Sequence, residues 1–304
     1  MHLLSITDID VPTALALAAK AKAKPQQFSH SLNGKTLAAI FEKPSTRTKL
    51  SFQVAITQLG GHFAEITGAH LLNGHEDAHD TANTIGQYAD FLLARVHSHG
   101  QLEELAAHSP IPVINGLSDA EHPCQALADL LTIGELKGKK GVKVAFVGDC
   151  NNVCNSLLLG CALTGIDISV ASPQGFGPKG EIIAKAAAYA KDSGSIIDYT
   201  CSPELAVKDA DAVYTDVWVS MGEEQKAEEK ASAFAGFQIT QELMALAKPD
   251  AIFMHCLPAQ KGKEVAKEVI EGPQSAIFQQ AANRLHVQKA VLLMLANHKA
   301  EVNA

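Results

Sequence analysis

The chain of 304 residues has only three arginines, Arg47, Arg95 and Arg284, although Lys and Arg together number 25. No dense basic block occurs, the longest cluster being Lys137-Gly138-Lys139-Lys140, and the formal net charge is -8. That balance argues against nucleic acid as a main partner. No run approaches the roughly 18 apolar residues a membrane span needs. Met1 to Asp8 has neither a basic start nor a long apolar core, so no signal peptide is expected. The six cysteines (Cys124, Cys150, Cys154, Cys161, Cys201, Cys256) include no C-x-x-C pair. A chain this long does not need disulfide staples, so a reducing cytoplasm is the expected setting. The histidines follow no standard zinc spacing. Gly148 has no second or third glycine of a G-x-G-x-x-G turn, and no G-x-x-x-x-G-K-[ST] stretch exists. A nicotinamide-linked dehydrogenase and a P-loop nucleotide site are thereby disfavoured.

What is present is alternation. Apolar runs read as strands at 37–41, 62–66, 91–95 and 112–115, with helical patterns at 9–24, 49–59, 78–89, 101–108 and 123–135. After a Gly/Lys-rich stretch at 137–141 the pattern restarts. Strands are expected at 142–147, 166–171, 195–199, 212–215 and 251–254. Helices are expected at 153–163, 180–191, 241–246 and 276–297, and a polar loop at 217–232. Strands alternating with helices predict an α/β fold of two parallel-sheet units, with the last helix returning to the first. Ligands in such folds sit outside the C-terminal ends of strands, and the unusual polar clusters fall there.

The first cluster is Phe41-Glu42-Lys43-Pro44-Ser45-Thr46-Arg47-Thr48, between a strand and a helix. Backbone N–H groups, hydroxyls and a guanidinium converge there, as in a small anion site. An ordinary Ser/Thr helix cap is the alternative. Arg95 ends a strand. His122 opens a helix and Gln125 lies one turn on; together they could hydrogen-bond a carbonyl oxygen and an amide. Asp216 and Cys256 each follow an apolar strand, where a turn cap and an inert buried thiol are the ordinary readings. Three arginines at such positions are enough to neutralise a phosphate dianion.

Four of these segments carry a resemblance. Ser45-Thr-Arg-Thr48, His122-Pro-Cys-Gln125, Asp216-Val-Trp-Val-Ser-Met-Gly222 and His255-Cys-Leu-Pro258 resemble the aspartate/ornithine carbamoyltransferase family, the last two its ornithine branch. Gly148-Asp149 to Asn152 and Asn283-Arg284-Leu285-His286 extend the similarity over almost the whole chain. The resemblance implies two Rossmann-like parallel-sheet domains. A carbamoyl phosphate domain would span 1–136 with the C-terminal helix from about 286 to 304, and an ornithine domain 137–285. The implied reaction joins the carbamoyl group of carbamoyl phosphate to the δ-amine of L-ornithine, giving L-citrulline and phosphate, a step of arginine biosynthesis or a urea-cycle type of pathway. No metal or organic cofactor is implied.

By the same resemblance, Ser45, Thr46, Arg47 and Thr48 bind the phosphate with Arg95. Thr48, Arg95 and His122 polarise the carbonyl oxygen. Gln125 and the Leu257 carbonyl hold the carbamoyl amide, and Arg284 closes the ring. Asp216 takes the α-ammonium of ornithine, Asn152 and the Met221 backbone its carboxylate, with Ser220 beside them. Cys256 handles the proton near the δ-amine. The 217–232 loop is expected to fold over bound ornithine. A trimer or a multiple of trimers is implied, with a site shared between subunits. Departures from the family pattern are Leu71 where a Gln or His is common, with His70, Asn73 and His75 as possible replacements. Asn83 stands where an Arg is common, and Ala282 where a Glu is common. Two other readings stay open: a carbamoyltransferase for another amine such as putrescine or N-acetylornithine, and a non-catalytic phosphate-metabolite sensor.

Overall fold

The computed structural model describes residues 1–67, 76–138, 140–219, 225 and 227–302, with side chains to 297. Leu71 and its neighbours His70, Asn73 and His75 lie outside the described residues, as do Ser220 and Met221.

The chain divides into two compact units, Met1–Ala128 with Asn283–Ala304, and Asp129–Ala282. In the first unit β1 (Thr36–Phe41), β2 (His62–Ile66), β3 (Phe91–Arg95) and β4 (Val113–Leu117) form a sheet in the order β2-β1-β3-β4, every pair parallel. Between them run α1 (Val11–Ala23, preceding β1), α2 (Thr46–Gln58), α3 (Ala78–Gly86) and α4 (His99–His108). Parallel neighbours need such crossovers, because a two-residue hairpin cannot join them. β1 and β3 read as continuous apolar runs because both faces are covered. Leu92, Ala94, Leu102, Leu105 and Val113 meet in one buried cluster. α5 (Pro123–Leu136) follows β4.

The second unit holds β5 (Lys143–Val147), β6 (Asp167–Ala171), β7 (Ile197–Thr200), β8 (Ala212–Thr215) and β9 (Ile252–His255), again all parallel, in the order β7-β6-β5-β8-β9. Its longer helices are α6 (Asn152–Thr164) and α7 (Gly180–Ser193). Three short ones follow in chain order: α8 (Pro203–Val207), α9 (Ala227–Ala233) and α10 (Gln241–Met244). After β9 come α11 (Lys267–Ile270) and the long α12 (Ile277–Val302). The expected α/β class and two parallel sheets are what the chain forms.

Local differences have physical causes. α2 starts at Thr46 rather than 49, because Ser45 is the last extended residue, at φ -150° and ψ 95°. The expected 217–232 loop contains α9, whose Lys230 is buried; a single helical turn or two leaves too short a pattern to read. α8 and α11 are invisible for the same reason.

Both sheets have a point where strand order reverses. In the first it falls between β1 and β3, in the second between β5 and β8. The crevice at such a point, outside the carboxyl ends of the strands, is where open α/β sheets take ligands.

Candidate active site

In the first unit the reversal point lies between the ends of β1 and β3. β1 delivers Ser45–Thr48, and β3 delivers Arg95. Ser45 has N-cap geometry, yet its side chain makes no capping hydrogen bond. The hydroxyl that an ordinary cap would spend on the helix is therefore available to an incoming anion, beside the N–H groups of the first turn. An open cavity of about 630 Å³ adjoins this turn, lined by Glu42, Lys43, Ser45, Thr46 and Lys49 among others.

Glu42 fixes the two strand ends against each other. Its backbone N–H donates to the Arg95 carbonyl at 2.9 Å. Its carboxylate accepts from the His97 N–H at 2.8 Å and from Gln101 Nε2 at 3.2 Å. The β3–β4 register shifts between Ala94 and Arg95, an irregularity of the kind that re-aims a side chain beside a site. Arg95 is buried, at 7% exposure.

Arg284, on α12, is the hub. Its Nη1 donates to Gln125 Oε1 and its Nη2 to Thr48 Oγ1, both at 2.8 Å. One rigid guanidinium thus joins α2, α5 and α12. The Gln125 amide is held in one orientation by this contact. Thr48, Gln125 and Arg284 are all buried.

His122 precedes α5 and is 4% exposed. Burial first, then the charges of Arg284, Arg95 and Arg47, hold its pKa well below the ordinary histidine value. It is a neutral imidazole, fit to donate a hydrogen bond and unfit to deliver a proton from an imidazolium at neutral pH. Arg47 itself is exposed, on the first turn of α2. Cys124, in the same motif, is buried and its thiol is pushed up to about 12, mainly by that burial; it fills space.

In the second unit the reversal point lies between β5 and β8. Gly148 leaves β5 at φ +151°, where a Cβ would approach Thr215 Oγ1 to 3.3 Å. Glycine there lets the chain turn into Asp149–Asn152. Asn151 caps α6, its Oδ1 accepting from the Val153 and Cys154 N–H groups. Its Nδ2 donates to Asp216 Oδ2 at 2.7 Å. The other Asp216 oxygen accepts from the Val217 N–H at 2.8 Å and from the Cys256 thiol at 2.9 Å. Asp216 therefore neither caps a distant turn nor floats; three donors aim it. Asn152, the first residue of α6, is half-buried beside this group.

The turn after β9 is braced from behind. Leu257 adopts φ +60°, a left-handed conformation that costs a leucine roughly 1–3 kcal/mol. Its N–H donates to His255 Nδ1 at 2.9 Å, so Nε2 carries the ring proton and faces Glu264 Oε1 at 3.3 Å. The His255 N–H donates to Gln280 Oε1, whose Nε2 reaches Asp129 and the Tyr214 hydroxyl. Asp149 pairs with the buried Lys230 of α9 at 2.7 Å. Trp218, next but one to Asp216, stacks on Phe234 at 5.5 Å between ring centroids.

Asp216, His255 and Cys256 each offer one donor atom within 4.8 Å of the others. Both His255 nitrogens already face partners, which leaves two donors where a zinc site uses three or four.

Thus Thr48, Arg95, His122, Gln125 and Arg284 gather in the first unit with Ser45–Arg47. Asn152, Asp216, Cys256 and Leu257 gather in the second. Sequence reading passed over Glu42, Asn151, Lys230, Glu264 and Gln280 as parts of the site. Asn151 and Glu42 stood inside quoted motifs; the other three carried no signal, since they act from loops and helices distant in sequence.

Comparison with known proteins places both parts of the chain in one family. Residues 1–135 match the family described as aspartate/ornithine carbamoyltransferase, carbamoyl-P binding domain, and residues 140–295 match its Asp/Orn binding domain. The chain is 52% identical over 271 residues to ornithine carbamoyltransferase of Bacillus subtilis, covering 88% of this chain and 85% of that one. It is 51% identical over 266 residues to an anabolic ornithine carbamoyltransferase of Pyrococcus furiosus, covering 87% and 84%. The solved structure of the Pyrococcus furiosus enzyme superposes with a TM-score of 0.92 at 47% identity, over 96% of this chain and 95% of that one.

Proposed function

The chain belongs to the aspartate/ornithine carbamoyltransferase family, and from that premise we propose that it transfers the carbamoyl group of carbamoyl phosphate to the δ-amine of L-ornithine. The products are L-citrulline and phosphate, and the step belongs to arginine biosynthesis. The observation that carries the reading is the Arg284 fork, which holds Thr48 and Gln125 and whose charge helps keep the buried His122 neutral.

The phosphate dianion sits on the N-terminal turn of α2, with Ser45, Thr46, Arg47 and Thr48 donating and Arg95 beside them. Guanidinium charge and helix N–H groups both favour it. Thr48, Arg95 and His122 donate toward the carbonyl oxygen, where negative charge grows as the tetrahedral intermediate forms. Donors fixed before the reaction need no reorganisation during it. A neutral His122 suits this role. Gln125 holds the carbamoyl amide, and the Leu257 carbonyl is a second acceptor for that amide.

Asp216 receives the α-ammonium of ornithine and Asn152 and the Met221 backbone its carboxylate, with Ser220 also part of the ornithine site. The three donors on Asp216 hold its carboxylate in place before the ligand arrives. Cys256 takes part in moving the proton that the δ-amine sheds. Attack requires a neutral amine, and an ornithine side chain, like lysine, is mostly charged at neutral pH. The expected kcat/KM for ornithine therefore rises toward alkaline pH; a flat profile between roughly pH 6 and 9 would refute this chemistry.

A citrulline-formation assay with purified protein tests the whole reading. Run in parallel with putrescine, N-acetylornithine and aspartate, it separates ornithine from other amines. Turnover of none despite tight carbamoyl phosphate binding would leave a sensor. The working form is proposed to be a homotrimer or a multiple of trimers in the cytoplasm, the setting that six free cysteines favour. Light scattering on the purified protein tests the assembly.

A further inference from the structure

The loop that delivers His122 is held from outside by a segment far away in the chain. β4 is the last strand of the first sheet, and its outer edge takes Leu3. The Leu3 N–H donates to the Val113 carbonyl and the Asn115 N–H to the Leu3 carbonyl, both at 2.8 Å. His2 Nδ1 accepts from the Val113 N–H at 3.0 Å. An edge that would otherwise present unpaired backbone groups is covered in this way. Past Leu3 the chain turns through the short 3-10 helix Ile6–Asp8, closed by a capping box of Ser5 and Asp8. Leu3 and Ile6 are fully buried.

Two contacts tie this segment to Glu121. Asn115 is buried, and its Nδ2 donates to the Leu4 carbonyl at 2.8 Å and to the Glu121 carbonyl at 3.2 Å. The Ile6 N–H belongs to the first turn of its helix, where no intrahelical acceptor exists. It donates instead to Glu121 Oε2 at 3.1 Å, across 115 residues of sequence. Within the loop the Ser118 N–H donates to the Glu121 carbonyl at 3.0 Å, and Ser118 Oγ accepts from the Glu121 N–H at 3.2 Å. The N–H, the carbonyl and the side chain of Glu121 are all held, and the residue is buried. His122 comes next, and its carbonyl accepts from the Gln125 and Ala126 N–H groups to open α5.

We propose that Glu121 is a positioning residue for carbamoyl transfer: its bond to Ile6 holds the His122 side chain on its aim, with residues 2–6 as the brace. The consequence for turnover rests on the functional reading above; the coupling of Ile6 to His122 does not. A donor stabilises developing charge best when it is fixed before the charge appears. His122 stands at a junction between loop and helix. The helix fixes its carbonyl side, and Glu121 fixes the peptide on the other. The interaction so protected strengthens as the tetrahedral intermediate forms, so its loss falls on kcat rather than on substrate binding.

The experiment compares Glu121→Met, which keeps the bulk and loses the acceptor, with Glu121→Gln, which keeps an acceptor oxygen. In Glu121→Met, kcat for citrulline formation falls roughly 10-fold, about the worth of one hydrogen bond, while KM for both substrates stays within about 2-fold. Glu121→Gln restores kcat to within about 3-fold of wild type. By NMR the His122 ring resonance, assigned by its loss in His122→Gln, moves in Glu121→Met and holds in Glu121→Gln. The Ile6 amide exchanges with solvent faster only in Glu121→Met. Ile6→Pro removes the same bond from the donor side, at a helix position that accepts proline. Ile6→Ala is its packing control, and this pair decides if Glu121→Met does not fold. An unchanged kcat or an unmoved ring resonance in Glu121→Met would overturn the proposal. So would a loss borne by KM, a Glu121→Gln variant as impaired as Glu121→Met, or an Ile6→Pro variant no worse than Ile6→Ala. If the wild type makes no citrulline, the ring resonance and the Ile6 exchange decide the coupling by themselves.

Discussion

Replacing His122 with glutamine tests the electrostatics of the first unit without relying on turnover. In the native chain His122 is buried and feels the charges of three guanidinium groups, and both causes hold its pKa well below the ordinary value. In the unfolded chain it titrates near 6.5. Above that pH both states carry a neutral imidazole and the difference between them is constant. Below it the unfolded chain binds a proton that the native chain refuses, so native stability falls as pH falls. For one proton the limiting slope is about 1.4 kcal/mol per pH unit. The substituted side chain has no titrating group, so the His122→Gln variant lacks this component. The stability gap between wild type and variant should therefore change by about 1.4 kcal/mol between roughly pH 7.5 and 5.5, the wild type losing ground. Urea unfolding followed by circular dichroism, at one protein concentration and in phosphate-free buffer, measures it. Phosphate is excluded because a ligand of the native state adds stability of its own. A gap that stays constant across that range would mean that His122 protonates alike in both states, and the neutral-donor role would fail. An NMR titration gives an independent check: the ring resonance absent from the variant should hold its shift down to about pH 5.5.

Arg284→Lys keeps the charge but removes the fork that reaches Gln125 and Thr48. One charge-assisted hydrogen bond lost is worth about 1.5–3 kcal/mol, so kcat/KM for carbamoyl phosphate should fall roughly 10- to 150-fold; a change below about 2-fold would show that the fork is not used. Lys230→Met leaves the partly buried Asp149 without this cation, which should cost up to about 3–5 kcal/mol. Adding Asp149→Asn should restore part of it in thermal unfolding, and no restoration would assign the loss to packing. Glu42→Ala releases the His97 N–H and Gln101 from the carboxylate. The carbamoyl phosphate KM should rise several-fold while the kinetic constants for ornithine at saturation hold; an equal effect on both would place Glu42 in general folding instead.

The alternation of strands and helices was plain in the sequence because each strand of a covered parallel sheet is an uninterrupted apolar run. β1, β3 and β5 were legible on that ground. Short pieces were not. α8, α9 and α11 span five, seven and four residues, too few for a 3.6-residue period to repeat. The register shift at Arg95 was equally hidden, since it depends on how two strands pair and not on either one alone.

At the site the division follows the same line. The scarcity of arginine, the Ser45–Thr48 turn, His122 with Gln125, and Asp216 with Cys256 all stood in the sequence, because chemistry that binds a phosphate or an ammonium must be written in residue type. What those residues do to one another was not written there. Whether Ser45 caps its helix, whether His122 is charged, and whether Asp216 is aimed by Asn151 and Cys256 all depend on atoms brought within about 3 Å from distant parts of the chain. Hydrogen bonding and burial act through space, so only the tertiary structure decided that His122 is neutral, that Arg284 orients Gln125, and that Asn151 and Cys256 aim Asp216.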